Sequence, residues 1–236
     1  MIGAGRFGRF VAQTLHEKGY EVVVADRRRV RIRGVRRVPT REAARTPIVL
    51  LALPVREIPP LLRQIAPSLR AGTLLVNLAA VQELPARWMR EALPASIDLV
   101  GLHALFGPSS AHGGRQGRRA VLCAVRIAPA RLRRVRSALR VLGIRATNAT
   151  CTEHDRAMAR TLFVTQLVGR ALAPIVPRSG IMTANAESLA RLIAASTADP
   201  FVLLADLYRF NRHTHAVARR IVSRVKGEHA RMRRAR

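Results

Sequence analysis

Three glycines near the start of the chain are spaced as in a phosphate-binding turn. Gly3, Gly5 and Gly8 form the pattern G-x-G-x-x-G, and apolar residues at helical spacing follow them. Such glycines permit a tight turn and a close approach of the backbone to a pyrophosphate, which also meets the N–H groups at the helix start. An acid that binds the ribose hydroxyls belongs about 20 residues further on, and there the apolar run Glu21–Asp26 ends. We therefore predict a dinucleotide site that includes Gly3, Gly5, Arg6, Phe7, Gly8, Asp26 and Arg27, with Leu53 and Pro54 at the end of a later strand.

The sequence leaves the choice between NAD and NADP open. A carboxylate at position 26 accepts hydrogen bonds from ribose hydroxyls and disfavours a 2′-phosphate, which favours NAD. Arg27, Arg28 and Arg29 follow directly, and guanidinium groups that bind phosphate would reverse that preference. The alternative interpretation of these arginines is a solvated run of charge.

A second segment with chemical potential is GLHALFGP, Gly101–Pro108, which follows a predicted strand. Ligands of open α/β sheets bind at the carboxyl ends of the strands. A histidine there can act as a general base near neutral pH, or bind a hydroxyl that loses its proton. We therefore take His103 as the candidate catalytic residue, the alternative being a loop histidine with a structural partner. His112, with Gly113 and Gly114, follows in a segment that we interpret as a lid over the substrate.

The elements that must position these residues alternate between strand and helix. Runs of β-branched residues predict buried parallel strands, and apolar residues at helical spacing predict helices between them. The alternation is typical of the α/β class, here an N-terminal Rossmann-like, doubly wound parallel sheet. Its first strand is reduced to Met1-Ile2, which favours a misassigned start and would leave two neighbouring strands partly unpaired. The predicted strands are Glu21–Asp26, Ile48–Leu53, Thr73–Leu78, Asp98–Leu102 and Ala120–Val125, and the helices are Phe10–Lys18, one within Arg56–Leu69 that starts after Pro59-Pro60, Leu84–Leu93 and Arg131–Leu142.

The later part of the chain is predicted to be an all-helical C-terminal domain. Thr152–Leu172 is interpreted as one long helix with Thr152 as N-cap and Asp155 completing a capping box, and further helices cover Ala186–Ala195 and Phe201–Val222. We expect a nucleotide-binding domain over 1–148, a helical substrate and dimerisation domain over 149–225, and a frayed basic tail over 226–236.

Composition narrows the class of protein. Hydrophobic residues make up 49% of the 236 residues and charged residues 24%, which is a globular balance. No apolar run approaches the length of a membrane span, and we expect no signal peptide. Two cysteines cannot form a disulfide framework or a metal site by themselves, so we expect no metal and a cytoplasmic location. The formal net charge of +28 would suggest nucleic acid, but only Lys18 and Lys226 among 42 basic residues are lysines and aromatic residues reach only 4%. We therefore attribute the charge to a bias towards arginine and not to a nucleic-acid partner.

Four segments together resemble the prephenate/arogenate dehydrogenases of tyrosine biosynthesis. Besides the glycine turn, GLHALFGP resembles that family's Gly-x-His-Pro-Met-Phe-Gly-Pro segment. EHDRAMARTLFVTQLVGRAL, Glu153–Leu172, is similar to the helix that opens its second domain, and ESLARLIAASTADPFVLLADLYRFN, Glu187–Asn211, is similar to a later helical segment, nearest the arogenate-type members. The resemblance implies NAD(P)-dependent oxidative decarboxylation of prephenate or arogenate. It also implies a homodimer formed through the helical domain, with His103 taking up the proton of the substrate hydroxyl.

The sequence departs from the family at several positions. Ala80 stands where the family commonly has a serine, and Gln82 replaces a lysine that follows it. Gln166 follows Thr165 in place of a histidine, and Ala104 replaces the proline after His103. The resemblance assigns Ala80, Gly107, Thr165, Gln166 and Arg170 to the substrate, with Arg191 as another candidate for the carboxylate. The alternative functions are a related two-domain reductase of another small acid, and a degenerate paralogue that binds nucleotide without turnover.

Overall fold

The computed structural model describes residues 1–108, 118–176 and 181–235, which form two compact units, Met1–His154 and Asp155–Arg236. The segment around His112, interpreted above as a lid, lies outside the described residues. The elements of the first unit are α1 (Arg6–Glu17), β1 (Val23–Val24), β2 (Arg36–Arg37), α2 (Thr40–Ala44), β3 (Ile48–Leu51), α3 (Ile58–Ile65), β4 (Leu74–Asn77), α4 (Glu83–Ala92), β5 (Asp98–Ala104), β6 (Arg118–Arg126), α5 (Pro129–Val141) and β7 (Ile144–Asn148). Short 3-10 turns cover Val55–Glu57 and Ala66–Ser68.

A five-stranded sheet in the order β3-β4-β5-β6-β7 forms the centre of the first unit. The pairs β3–β4 and β4–β5 are parallel, as predicted, whereas β6 runs antiparallel to β5. The last strand, β7, was not predicted and lies parallel to β6. The run Ala120–Val125 within β6 is as continuously apolar as the parallel strands, so its composition did not indicate the antiparallel pairing. The Rossmann-like fold class is confirmed, with a mixed sheet at one side.

The shortened first strand pairs with both of its neighbours, contrary to expectation. Ile2 forms parallel bridges to Ala25 and to Leu51. Its N–H donates to the Leu50 carbonyl at 2.8 Å, and its carbonyl accepts from Ala52 N at 2.8 Å. On the other side Gly3 N donates to the Ala25 carbonyl at 2.8 Å. Ile2 therefore joins the small parallel pair β1–β2 to the main sheet, and it sets the position of the glycine turn.

Helices cover both faces of the sheet. On one face α3 and α4 bury Ile58, Leu62 and Met89 against Leu75 and Leu99. On the other face Leu139 of α5 joins a cluster with Val76, Val100 and Leu122, and α1 contributes partly buried apolar side chains. Pro59 and Pro60 lie inside the first turn of α3 and not before it, because prolines there forfeit only N–H groups that lack a helical acceptor.

The second unit is helical, as predicted, but two of the three predicted helices are each divided in two, and the helix predicted over Ala186–Ala195 is longer. It comprises the later part of α6 (Cys151–Arg160), then α7 (Leu162–Leu172), α8 (Ala184–Ala198), α9 (Phe201–Phe210) and α10 (Thr214–Arg234). The single helix predicted over Thr152–Leu172 is broken at Thr161, whose backbone angles are non-helical. The helix predicted over Phe201–Val222 is broken after Asn211, whose side-chain oxygen accepts from His213 N at 3.0 Å, because asparagine amides compete with the helical hydrogen bonds.

Two further expectations for this region are wrong. The capping box lies two residues earlier than predicted: the Thr150 hydroxyl and N–H both donate to the Glu153 carboxylate at 2.8 Å, and Glu153 N donates back to the Thr150 hydroxyl oxygen. The basic tail predicted to fray is helical through Arg234, as the end of α10.

Among the described residues no single helix is long and apolar enough to cross a membrane. The helices α8 and α9 satisfy the length and composition only when taken together, and they are bent by 83° to each other.

Candidate active site

The glycine turn lies against the strand ends through contacts that only glycine allows. Gly3 has φ +97°, and a Cβ there would lie 2.2 Å from the Ala52 carbonyl oxygen. A Cβ on Gly8 would lie 2.2 Å from the Gly3 carbonyl oxygen, so Gly8 is needed for close packing of α1 on the turn. Gly5, the N-cap of α1, is different, because a Cβ there would meet none of the described atoms within 4 Å.

This arrangement fits the pyrophosphate of a dinucleotide. Two of the glycines close the turn, and the third leaves open space in front of the first N–H groups of α1, those of Arg6, Phe7 and Gly8. Glycine backbone and helix N-terminus are the groups that bind a pyrophosphate in this kind of fold. Leu53 and Pro54, predicted to contact the cofactor, follow Ala52 directly and so lie next to Gly3.

Asp26 lies at the end of β1 and is bonded to the glycine turn. Its Oδ2 accepts from Ala4 N at 2.7 Å and its Oδ1 from Arg28 N at 2.8 Å. Burial alone would raise the pKa of Asp26, but these two N–H donors and the Arg28 guanidinium hold the pKa below its usual value. A carboxylate offers about four lone-pair sites, so the ionised Asp26 retains acceptor capacity for ribose hydroxyls while it ties the turn to the strand.

Arg27 and Arg28, directly after Asp26, are paired with acidic groups. Arg27 pairs with Glu57 at 3.0 Å, and Arg28 lies 3.6 Å from the Asp26 carboxylate. From β2, Arg37 donates to the Asp26 carbonyl at 3.1 Å. The side chains of Arg27 and Arg28 are 85% and 74% exposed, so a phosphate that binds them must compete with exposed ion pairs, which are weak.

The turn after β4 is held by a buried amide network. Asn77 Nδ2 donates to Gln82 Oε1 at 3.0 Å, and Gln82 Nε2 donates to the Ala79 carbonyl at 2.8 Å. Gln82 is fully buried, and a Cβ on Gly101 would lie 2.2 Å from its Oε1. Gln82 thus shapes the turn that carries Ala80 and packs against β5. The methyl group of Ala80, half-buried in this turn, supplies no hydrogen bond.

His103 lies near the carboxyl end of β5 and bonds to a second histidine. Its Nδ1 is 2.8 Å from Nε2 of His154, in the first turns of α6, and the ring planes are inclined at 76°. Both residues are buried, with 9% and 2% of their surface exposed. Because Nδ1 is engaged, Nε2 is the nitrogen of His103 that can bind a ligand. Burial, and secondarily the neighbouring His154, lower the pKa of His103 to about 3, so its imidazole is neutral at physiological pH.

The strand pairings bring the predicted residues of the first unit to one edge. Ile2, β1, β3, β4 and β5 run parallel, so the residues that follow each strand share the carboxyl edge, where such folds bind ligands. Phe106 turns back to α1, where its ring meets Phe10 edge-on at 6.3 Å, and a Cβ on the adjacent Gly107 would contact none of the described atoms within 4 Å.

The predicted substrate residues of the second unit form a cluster of their own. The Gln166 amide, 3% exposed, donates to the Asp199 carboxylate at 2.9 Å. Arg170 donates to Gln166 Oε1 at 3.4 Å and to the Asp199 carbonyl. Thr165 is exposed, and its hydroxyl donates to the Leu162 carbonyl one turn back. Arg191, the other candidate for a carboxylate, is bonded to Ser188 on its own helix.

With this geometry established, the relatives of the chain can be compared. Residues 11–145, more than half of the chain, match the family described as "Prephenate dehydrogenase, nucleotide-binding domain". The chain belongs to this family. The matched range includes Asp26, Ala80 and His103, and the glycine turn lies immediately before it. The predicted prephenate/arogenate dehydrogenase family and its nicotinamide nucleotide cofactor, NAD or NADP, are therefore confirmed.

Individual relatives point to the same family. Arogenate dehydrogenase 2, chloroplastic, from Arabidopsis thaliana is 30% identical over 225 residues, covering 89% of this chain and 63% of that protein. Arogenate dehydrogenase 1, chloroplastic, of the same plant is 26% identical over 234 residues, covering 89% of this chain and 35% of that protein. The chain thus spans less than two thirds of the length of these curated relatives.

A solved structure extends the likeness to the whole fold. Prephenate dehydrogenase from A. aeolicus, in complex with hydroxyphenyl propionate and NAD+, has a TM-score of 0.75 and 13% identity. The match covers 99% of this chain and 90% of that chain. At this identity the likeness concerns the fold alone.

The structure also reveals a candidate active-site residue, His154, that was not predicted from the sequence. His154 was considered only as part of a capping segment, 51 residues from His103. The only local feature that indicated His154 was its place in the helix, one residue after Glu153 of the observed capping box. Correct placement of that box would have directed attention to His154, the residue after Glu153.

Proposed function

We propose that this chain catalyses the NAD(P)-dependent oxidative decarboxylation of prephenate or arogenate in tyrosine biosynthesis. The observation that carries the proposal is the position of His103: a buried, neutral imidazole near the carboxyl end of β5, on the sheet edge that also carries the glycine turn and Asp26. The family membership and the printed names of the relatives, arogenate and prephenate dehydrogenases, support the same reaction.

In the proposed complex the chain binds and orients the cofactor. The N–H groups of Arg6, Phe7 and Gly8 would hold the pyrophosphate, and Asp26 would accept hydrogen bonds from the adenosine ribose. Leu53 and Pro54 line the nucleotide next to Gly3. When bound, the nicotinamide would supply the acceptor for the hydride that leaves the substrate carbon bearing the hydroxyl. Asp26 favours NAD, and Arg27 is the residue through which NADP would be accommodated.

His103 moves the proton. As the ring carbonyl of the substrate forms, Nε2 of His103 takes the hydroxyl proton, which leaves an imidazolium with both nitrogens protonated. The substrate carboxyl group then leaves as carbon dioxide, and the electron pair of the broken C–C bond completes the aromatic ring. The chain contributes position and electrostatics to this last step.

We propose that Ala80, Gly107, Thr165, Gln166 and Arg170 contact the substrate. The Gln166 amide can donate a hydrogen bond but cannot carry the charge of the histidine found in the family, and Arg170 remains a cation for a carboxylate. We further propose that the enzyme is a cytoplasmic homodimer formed through the helical unit. The exposed apolar residues Val222, Val225 and Met232 on α10 support that assignment.

The first experiment is an assay of reduced-cofactor formation with prephenate and with arogenate, each with NAD and NADP. We expect turnover with one pair, and a loss of at least about 100-fold in kcat for His103→Asn, since general base catalysis contributes on that order, with cofactor Kd unchanged. His16→Asn, in the last turn of α1 and so at the opposite end of that helix from the glycine turn, is the matched control and should keep full turnover. Cofactor binding without any turnover would instead identify a nucleotide-binding paralogue, and turnover of a different small acid would identify a related reductase.

A further inference from the structure

The two buried imidazoles of His103 and His154 form a hydrogen bond that admits only two proton arrangements. The Nδ1–Nε2 distance of 2.8 Å is that of a hydrogen bond, and one proton lies between the two nitrogens when both rings are neutral. Either Nδ1 of His103 carries that proton and donates it, or Nε2 of His154 does. The two arrangements leave His103 with opposite capabilities at Nε2.

We propose that His154 is a positioning residue that holds His103 in the tautomer protonated at Nδ1, with the Nε2 lone pair presented to the substrate hydroxyl. This proposal rests on the proposed function, because only an unprotonated Nε2 can accept the hydroxyl proton. In the other tautomer His103 would present an N–H to the hydroxyl and could not act as its base. The tautomer of an imidazole is usually fixed by a hydrogen bond to one ring nitrogen, which determines whether the other nitrogen carries a proton.

The first turns of α6 hold His154 firmly enough for this role. Thr150 and Glu153 close a reciprocal capping box directly before it. Thr152 donates through its hydroxyl to the Glu83 carboxylate at 2.7 Å, which ties the start of α6 to the start of α4. Glu83 is the residue directly after Gln82, and the Gln82 amide shapes the turn after β4. The His154 ring is therefore anchored to the same sheet edge that carries His103.

A neutral imidazole has a different effect on the base than a carboxylate would have. It fixes the tautomer without the negative charge by which a carboxylate would strongly favour the imidazolium, and burial keeps His103 neutral. Once His103 has taken the proton, its Nδ1–H becomes a charge-assisted donor to His154, which is stronger than the neutral hydrogen bond it replaces. The bond thus strengthens as the charge develops, which favours the transition state over the ground state.

The test compares His154→Phe, which keeps a ring of similar shape without an acceptor, with His154→Gln, whose Oε1 can reach the place of the imidazole nitrogen. Nitrogen-15 NMR of histidine-labelled full chain at neutral pH reports which nitrogen of His103 is protonated, with His103→Asn to assign the signals. We expect the Nδ1–H form in the unmodified chain and in His154→Gln, and the Nε2–H form or a mixture in His154→Phe. His229→Phe is the control for the labelling and should leave the signals of His103 unchanged.

Kinetics provide the second measurement. We expect kcat to fall about 10- to 100-fold in His154→Phe with KM changed less than threefold, since a lost orienting hydrogen bond costs on that order, and to recover in His154→Gln. A His103 protonated at Nε2 in the unmodified chain would overturn the proposal, as would a His154→Phe chain that keeps both the tautomer and kcat. The tautomer is measured without substrate. A chain that shows the expected tautomers but oxidises neither prephenate nor arogenate would therefore refute the proposed function and leave the positioning role intact.

Discussion

At the scale of single residues, the chemistry depends on one histidine whose environment keeps it uncharged. His103 is buried beside the imidazole of His154. Burial lowers the pKa of His103 far below its usual value. Such an environment keeps the imidazole of His103 unprotonated at neutral pH before the substrate binds, as a proton acceptor must be. The burial that keeps His103 neutral also makes the free energy of unfolding depend on pH.

We expect the free energy of unfolding to decrease between pH 7 and pH 5 because of His103. In the unfolded chain this histidine titrates near 6.5, and in the folded chain at about 3. Between these values the unfolded state binds more protons, so stability falls as the pH falls, by about 2 kcal/mol at pH 5 for this shift. Urea unfolding at several pH values measures the effect. His103→Asn should flatten this part of the pH dependence and His229→Asn should not; equal slopes for both variants would contradict the assigned pKa.

Three of the residues that differ from the family, Gln82, Gln166 and Ala80, differ in whether a contact in the structure explains them. Gln82 is explained by structure, because its buried amide joins Asn77 and Ala79 and fills the space next to Gly101. Gln166 is bonded to Asp199 and can orient that carboxylate. Ala80 has no such role in the structure, and it is the substitution that removes a polar group from the proposed substrate contacts without replacing it.

At the scale of elements, the turn between Ile2 and α1 shows how one motif combines folding and binding. Gly3 and Gly8 have neighbours that a methyl group would overlap, whereas Gly5 faces open space among the described atoms. Substitutions at the second and third glycines should therefore affect different properties of the protein.

We expect Gly8→Ala to destabilise the chain and Gly5→Ala to weaken cofactor binding. The Gly8 methyl group would overlap the Gly3 carbonyl, and relief of such an overlap costs about 1–3 kcal/mol. The Gly5 methyl group would project into the space we assign to the pyrophosphate, so cofactor Kd should rise about tenfold or more while stability changes by less than 1 kcal/mol. Thermal unfolding and titration with NAD and NADP separate the two effects. A Gly5→Ala chain with unchanged affinity for both would place the nucleotide elsewhere.

The elements also show what a sequence can and cannot reveal about this fold. Strands such as Leu74–Asn77 and helices such as Glu83–Ala92 were predictable because their apolar periodicity is local. The strand Arg36–Arg37 is two exposed arginines and carries no such signal, and Ile144–Asn148 lies half-exposed at the sheet edge. The helix breaks at Thr161 and Asn211 arise from backbone and side-chain hydrogen bonds that apolar periodicity does not encode.

The candidate site was predictable to the same extent. Glycines and Asp26 form a pattern of fixed spacing, and His103 belongs to a recognisable segment. His154 was not predictable, because its partner is 51 residues away and only the folded chain brings the two rings together. Such long-range pairs are the part of an active site that local patterns cannot supply.

At the scale of the whole molecule, the net charge of +28 opposes any association of two copies. The proposed dimer must therefore gain enough from apolar contact to offset the repulsion between like charges. The last helix combines both features: Val222, Val225 and Met232 are 53%, 65% and 64% exposed, and Arg219, Arg220, Arg224 and Lys226 lie on the same helix.

We expect the dimer to tighten as the ionic strength rises, because salt screens the repulsion but leaves the apolar contact. The double variant Val222→Ser, Val225→Ser should weaken it by about tenfold or more, since each exposed valine that is buried contributes about 1 kcal/mol. Light scattering or sedimentation over a range of protein and salt concentrations measures both effects. Ile48→Ser, which removes an apolar side chain 54% exposed on the first unit, is the matched control and should leave the association unchanged. A dimer that dissociates with added salt would instead show that ion pairs hold the two copies together, and a double variant that associates normally would exclude this face of α10 from the interface.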